Sequence, residues 1–163
     1  MNNEYGEVVE VYTTKAVLQL QREVKVRNGT KKLHTIRVTI APIFQGRAHF
    51  NDKISMQLEE SHLATFCQSM MGLLKNIRID GAKIAGEKAK VLFININPDE
   101  TVNLNMSDSE SGNLGKSIIF SPDHRYVLLR LAASQLTLNS QGYEQTIADT
   151  LNLLKTSVIG RKI

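Results

Sequence analysis

Basic and polar side chains alternate with apolar ones in three stretches of the sequence, at residues 15–25, 33–39 and 53–59. A period of two is typical of a β-strand with one buried face and one face in water. In the first stretch Leu18, Leu20, Val24 and Val26 fall on one side, and the side predicted to face water carries Lys15, Val17, Gln19, Gln21, Glu23 and Lys25. Arg37 and Lys53 continue the basic character in the other two stretches. A sheet face with positive charge and no acidic balance is suited to contacting a phosphate backbone.

Residue types that could support catalysis or metal binding are not arranged for either. The four histidines, His34, His49, His62 and His124, are isolated from one another and show no metal-ligand spacing. The sequence GNLGKS at 112–117 is similar to the end of a phosphate-binding loop, but Glu110 stands where its first glycine belongs, and a strand is predicted after Ser117. We therefore expect no metal, no cofactor and no enzymatic activity, and a binding role is the default.

The length and net charge of the chain indicate a single, slightly basic domain. With 163 residues and 42% hydrophobic content, the chain can bury one substantial core, which we assign to residues 12–163, with residues 1–11 as an N-terminal tail. The formal net charge is +4, and residues 1–90 hold 14 basic against 9 acidic side chains. There is no long apolar run, and the first segment is acidic, so we expect a cytoplasmic location. The single cysteine, Cys67, fits a reducing compartment and a place in the core.

The order of predicted elements indicates an α+β fold. Asn28-Gly29 is a favoured pair for a tight hairpin turn, with a basic tip made by Arg27, Lys31 and Lys32. A helix capped by Ser61 follows the 53–59 strand. The second half repeats strands followed by a helix that starts at Ser121-Pro122, and a further helix follows residues 138–142. We predict two antiparallel four-stranded meanders, at about 12–75 and 76–163, each ended by a helix that covers one sheet face.

An aromatic side chain is expected on the water-facing side of the second meander. If Leu92, Ile94 and Ile96 face the helices, then Phe93 faces outward among asparagines. This ring is either a stacking platform for a base or a side chain packed against another subunit.

The order of elements and several short segments together resemble the whirly class of single-stranded DNA-binding proteins, which are related to the transcriptional positive coactivators. Residues 12–18, YTTKAVL, are similar to that family's Tyr-Lys-Gly-Lys-Ala-Ala-Leu segment at Tyr12, Lys15, Ala16 and Leu18, with Thr13 and Thr14 in place of its lysine and glycine. Residues 53–60, KISMQLEE, resemble its lysine-led strand before the first helix, and the likeness runs in order from 12 to 136. The resemblance implies a homotetramer whose sheets radiate from a helical centre, with a single strand lying along the sheets of neighbouring subunits.

Together these patterns predict binding of single-stranded DNA with little sequence preference. The candidate contacts are Tyr12, Lys15, Lys25, Lys31, Lys32, Arg37, Arg47, Phe50, Lys53, Lys88, Lys90 and Phe93. Lysines and arginines would neutralise phosphates, and the aromatic rings would stack on bases. Charge reversal of Lys15 or Arg37 is expected to weaken binding without unfolding the chain. An RNA-binding protein of the same fold, or a non-enzymatic assembly protein of a mobile element, would suit the same pattern.

Overall fold

Two antiparallel sheets and three helices form the protein in the computed structural model, which describes residues 4–81, 89–108, 115–140 and 142–161. The α+β class predicted from the sequence is confirmed. Strands β1 (Glu4–Tyr12), β2 (Ala16–Arg27), β3 (Lys31–Phe44) and β5 (Ile54–Leu58) pair in that order, and the two-residue strand β4 (Arg47–Ala48) folds back on the end of β3. The hairpin lies where it was predicted, and Asn28 and Gly29 occupy two left-handed positions with φ angles of 52° and 76°. Arg27 pairs with Lys31, however, so the turn has three residues and not the two that the Asn-Gly pair predicted.

Strand β1 occupies residues that the sequence analysis assigned to a tail. The register slips between Tyr5 and Val8, where a bulge at Gly6 and Glu7 interrupts pairing with β2. Such a bulge changes which residues share a face, so a period of two does not run through the strand. Because of this interruption, β1 cannot be recognised from alternation in the sequence. The bulge also places Tyr5, Val8 and Tyr12 on one side of the sheet.

The second half of the chain follows the predicted order. Helix α1 (Glu60–Met70) leads to the second sheet, in which β6 (Asn76–Asp80), β7 (Lys90–Ile96), β8 (Val102–Asp108) and β9 (Lys116–Phe120) pair in sequence order. Helices α2 (Arg125–Asn139) and α3 (Ile147–Arg161) complete the fold. The predicted cap at Ser61 is wrong, because Ser61 lies inside α1, whose N-cap position is Glu59, two residues earlier.

Both sheets and all three helices contribute to one apolar core. Alternate residues such as Leu18, Leu20, Leu92 and Ile94 are fully buried there together with Phe66 of α1, as the alternation predicts. Cys67 is also buried, and burial raises the pKa of its thiol to about 12, as expected for a core residue. Among the described residues, no helix is both long enough and apolar enough to cross a membrane.

Side chains of α2 complete the hydrogen bonding of β3 beyond the end of β5. The pairing of β5 with β3 stops where Leu58 lies opposite Ile36. Just past this point, Asn139 donates to the His34 carbonyl and accepts from the His34 N–H, both at 2.8 Å. Gln135 donates to the Thr35 carbonyl at 2.9 Å. The amide of Asn139 therefore substitutes for a neighbouring strand, and Gln135, which also donates to the Glu23 carbonyl at 3.4 Å, attaches α2 to both β2 and β3.

His34, at this junction, makes stability depend on pH. Partial burial, and then the nearby charges of Arg22 and Lys32, hold the pKa of its imidazole below the ordinary value of 6.5. The unfolded chain therefore takes up this proton at a higher pH than the folded chain. The resulting stabilisation is complete above the unfolded pKa and is lost as the pH falls toward the folded pKa. We expect a His34→Gln variant to lose less free energy of unfolding than the wild type between about pH 7 and pH 5 in urea titrations.

Identical pH profiles for the wild type and His34→Gln would show that His34 does not contribute.

Candidate nucleic-acid interface

The outer face of the first sheet is the side turned away from the apolar core. It was predicted to face water, but five of its residues are buried, namely Val17, Glu23, Thr35, Thr39 and Ala41. The strand register defines its members, which are Tyr5, Val8, Glu10 and Tyr12 of β1, Val17, Gln19, Gln21, Glu23 and Lys25 of β2, Leu33, Thr35, Arg37, Thr39 and Ala41 of β3, and Ser55 and Gln57 of β5. Amide, hydroxyl and charged groups occupy the middle of this outer face. Exposed aromatic rings lie on its β1 edge, where Tyr12 is 58% exposed.

A paired charge, not a free one, lies at the centre of the outer face. Arg37 donates from Nε and Nη2 to the two carboxylate oxygens of Glu23, at 3.0 and 3.1 Å. The Glu23 side chain is 0% exposed and that of Arg37 is 33% exposed. The expectation of a basic face without acidic balance is therefore wrong here, because Arg37 neutralises a buried carboxylate on the adjacent strand.

Other acidic groups further reduce the positive charge of the outer face. Lys25 Nζ lies 2.9 Å from a carboxylate oxygen of Glu59, so this predicted phosphate contact is also paired within the protein. Glu10 accepts a hydrogen bond from Gln19 at 2.6 Å and another from the Tyr12 hydroxyl at 3.3 Å. The middle of the outer face is therefore close to electrically neutral.

Three other predicted cations lie at one end of the first sheet, which we call the basic end. It comprises Lys15, Arg47 and Lys53 with the rings of Tyr12, Phe44 and Phe50. Backbone contacts connect the segments that carry them. The Ile43 N–H donates to the Lys15 carbonyl at 2.8 Å, Phe44 pairs with Arg47, and the Lys53 N–H donates to the Phe50 carbonyl at 3.2 Å.

A tight turn between β3 and β4 shapes the basic end. Gln45 and Gly46 have φ angles of 53° and 75°, which reverse the chain and bring Arg47 beside Phe44. The imidazole of His49 packs edge-on against Phe44, with ring centroids 5.3 Å apart. Phe44 is nevertheless 58% exposed, so most of its ring is accessible.

The three cations of the basic end are exposed and keep their charge available. Within the described part of the chain, no carboxylate forms a salt bridge with Lys15, Arg47 or Lys53. One acidic residue, Asp52, is exposed in the same segment as Lys53. Three positive charges against the two negative charges of Asp52 and Glu10, whose carboxylate accepts a hydrogen bond from Tyr12, leave the basic end net positive and suited to an anionic ligand with planar groups.

The remaining predicted contacts lie elsewhere. Lys31 and Lys32 are exposed at the tip of the β2–β3 hairpin, at the opposite end of the strands from the basic end. Lys88 lies outside the described residues. Lys90 is half-buried and falls on the same side of β7 as the core residues Leu92 and Ile94, whereas Phe93 points to the other side.

The outer side of the second sheet carries Phe93, as its alternation predicts. The ring is half-buried, and the guanidinium of Arg78 on β6 lies over it, 5.6 Å from its centroid. One face of the Phe93 ring is therefore already covered by a cation. Asparagines surround this pair across β6, β7 and β8.

Sequence reasoning missed Tyr5, Val8 and Phe44 as members of the exposed aromatic and apolar set. The bulge interrupts the alternation that would have revealed the first two, whereas Phe44 directly precedes the Gln45-Gly46 turn and could have been found from that pattern. No group of three or more His, Cys, Asp or Glu side chains in the described residues could hold a metal ion. When the chain is compared with known proteins, no protein-family model matches it and no curated protein matches it.

Proposed function

We propose that the protein binds single-stranded DNA with little sequence preference and has no enzymatic activity. The basic end supports this proposal most strongly, because it combines unpaired exposed cations with exposed aromatic rings. Lysine and arginine neutralise phosphates whatever the sequence, and aromatic rings stack on bases of any kind. Double-stranded DNA hides the faces of its bases and is therefore a poor ligand for such a site.

In this proposal Lys15, Arg47 and Lys53 contact the phosphates, and Tyr12, Phe44 and Phe50 stack on bases. Each stacked base contributes on the order of 1–3 kcal/mol, which is enough to favour a single strand over a duplex. Lys31 and Lys32 at the hairpin tip add phosphate contacts for a longer strand. Arg37 and Lys25 are less available for phosphates, because both already pair with carboxylates.

The order of four main strands and a helix in each half supports a whirly-like fold as part of the proposal. A homotetramer and a cytoplasmic location belong to the same proposal. The buried thiol of Cys67 suits a reducing compartment.

A fluorescence titration tests the proposal directly. The wild-type protein is titrated into a labelled single strand of about thirty nucleotides, its duplex form and an RNA of the same sequence, over a series of salt concentrations. We expect the single-stranded DNA to bind tightest, with log affinity falling by about 0.7 per neutralised phosphate for each unit of log salt concentration. Equal affinity for single strand and duplex, or no binding at low salt, would refute the proposal, and a preference for RNA would change the ligand.

A further inference from the structure

The outer side of the second sheet carries an unusual set of uncharged hydrogen-bonding groups, which we call the amide face. The register places its members in two rows, which are Asn76, Asn95, Asn103 and Ile119, and Arg78, Phe93, Asn105 and Ser117. All four strands contribute to each row. Arg78 is the only charged side chain in these two rows, and it forms a salt bridge with Asp80 at 3.0 Å.

The asparagine side chains of the amide face are not used by the protein itself. Within the described residues, the carboxamides of Asn76, Asn95, Asn103 and Asn105 form no hydrogen bond, whereas Asn97, beyond the rows, donates to Thr101 at 2.9 Å. The oxygen of Asn103 is shielded from solvent and has no partner. The partly exposed carboxamides on this face are therefore available to a partner outside the folded chain.

The chemistry of these groups selects the kind of partner. A carboxamide presents a donor and an acceptor side by side, which matches the hydrogen-bonding edge of a nucleobase. Because the amide face has no free positive charge, it is not suited to binding the phosphates of a nucleic-acid backbone. The basic end, by contrast, has exposed cations. Ile119, 57% exposed beside Asn103, offers an apolar surface for the flat side of a base. The planar guanidinium of Arg78 offers a second stacking surface.

We infer that the amide face is a second binding site, which takes unpaired nucleobases by their edges. This inference rests on the proposed binding of single-stranded nucleic acid. In it, two surfaces of the protein contact different parts of the strand. The basic end holds phosphates and stacks on the flat faces of bases without regard to sequence, and the amide face contacts base edges.

Two labelled ligands separate the two surfaces. One is a thirty-nucleotide single strand of mixed sequence, and the other is an abasic strand with the same number of phosphates. The wild type should bind the first more tightly than the second. In the double variant Asn95→Ala/Asn105→Ala, we expect this preference to fall about tenfold, in line with the loss of a base-edge hydrogen-bond pair, while affinity for the abasic strand stays unchanged.

Asn152→Ala is the matched control, because Asn152 is an exposed asparagine on α3. It should keep the wild-type preference, and thermal unfolding should show that all variants are folded.

An unchanged preference in the double variant, or an equal loss of affinity for both strands, would overturn the inference while leaving the proposed function standing. A smaller sedimenting mass for the double variant, with the preference intact, would show that the face binds a second copy of the chain instead. If the wild type binds neither strand, the proposed function and this inference both fail.

Discussion

Replacing Arg37 by methionine should lower the free energy of unfolding by about 3–5 kcal/mol, the range for removing one partner of a buried ion pair. The carboxylate of Glu23 is 0% exposed and accepts two hydrogen bonds from this guanidinium. Without Arg37, a buried negative charge loses its bidentate partner. Urea unfolding followed by circular dichroism measures the change.

Two further variants show whether the lost charge pairing is the cause. The double variant Arg37→Met/Glu23→Gln removes the buried charge together with its partner, so it should regain most of the lost stability. Lys15→Met alters an exposed cation and should stay within about 0.5 kcal/mol of the free energy of unfolding of the wild type. A stable single variant, or a double variant no better than the single one, would contradict this account. From the sequence, charge reversal of Arg37 was expected to leave the chain folded. Because Arg37 pairs with the buried Glu23, we now expect its replacement to destabilise the protein.

Reversing two charges of the basic end should cost most of the nucleic-acid affinity. The variant Lys15→Glu/Lys53→Glu loses two phosphate contacts, and each contributes about 0.7 to the slope of log affinity against log salt concentration. The affinity should therefore fall roughly 25-fold at about 0.1 M salt. Both side chains are exposed and make no salt bridge within the described residues, so the fold should be unaffected. Fluorescence titration of the single strand over a salt series gives both the affinity and the slope.

A variant with the same net charge separates local contact from overall charge. Lys75→Glu/Lys155→Glu changes two exposed lysines, one before β6 and one on α3. It should retain nearly the wild-type slope. If this control loses as much affinity as the basic-end variant, the phosphates do not bind preferentially at the basic end.

Patterns that repeat along the chain were readable from the sequence. Alternation identified β2, β3, β5, β7 and β8, and it placed Phe93 on the correct side of the second sheet. The Asn28-Gly29 pair identified the hairpin, since few residues adopt two successive left-handed positions. These features depend on residues that are close together in the chain. A hydrophobic period or a dipeptide motif contains information about such residues only.

Features that depend on cross-strand neighbours could not be predicted in the same way. Alternation put Glu23 and Arg37 on the same predicted surface, but it does not give the register that sets one beside the other. The grouping of Lys15 with Arg47 arises from the β3–β4 turn and one backbone hydrogen bond across to β2, which have no periodic signal. Strand β1 was missed because its bulge breaks the period.

That bulge also bears on how the protein behaves at high concentration. Strand β1 is the last strand at its side of the first sheet, and a regular row of open N–H and C=O groups there would be a template for joining sheets from different molecules. The slip at Gly6 and Glu7 interrupts the row and twists the strand locally. A surface rich in exposed tyrosine and valine can thus remain open to a ligand while the backbone beside it resists fibre-like growth.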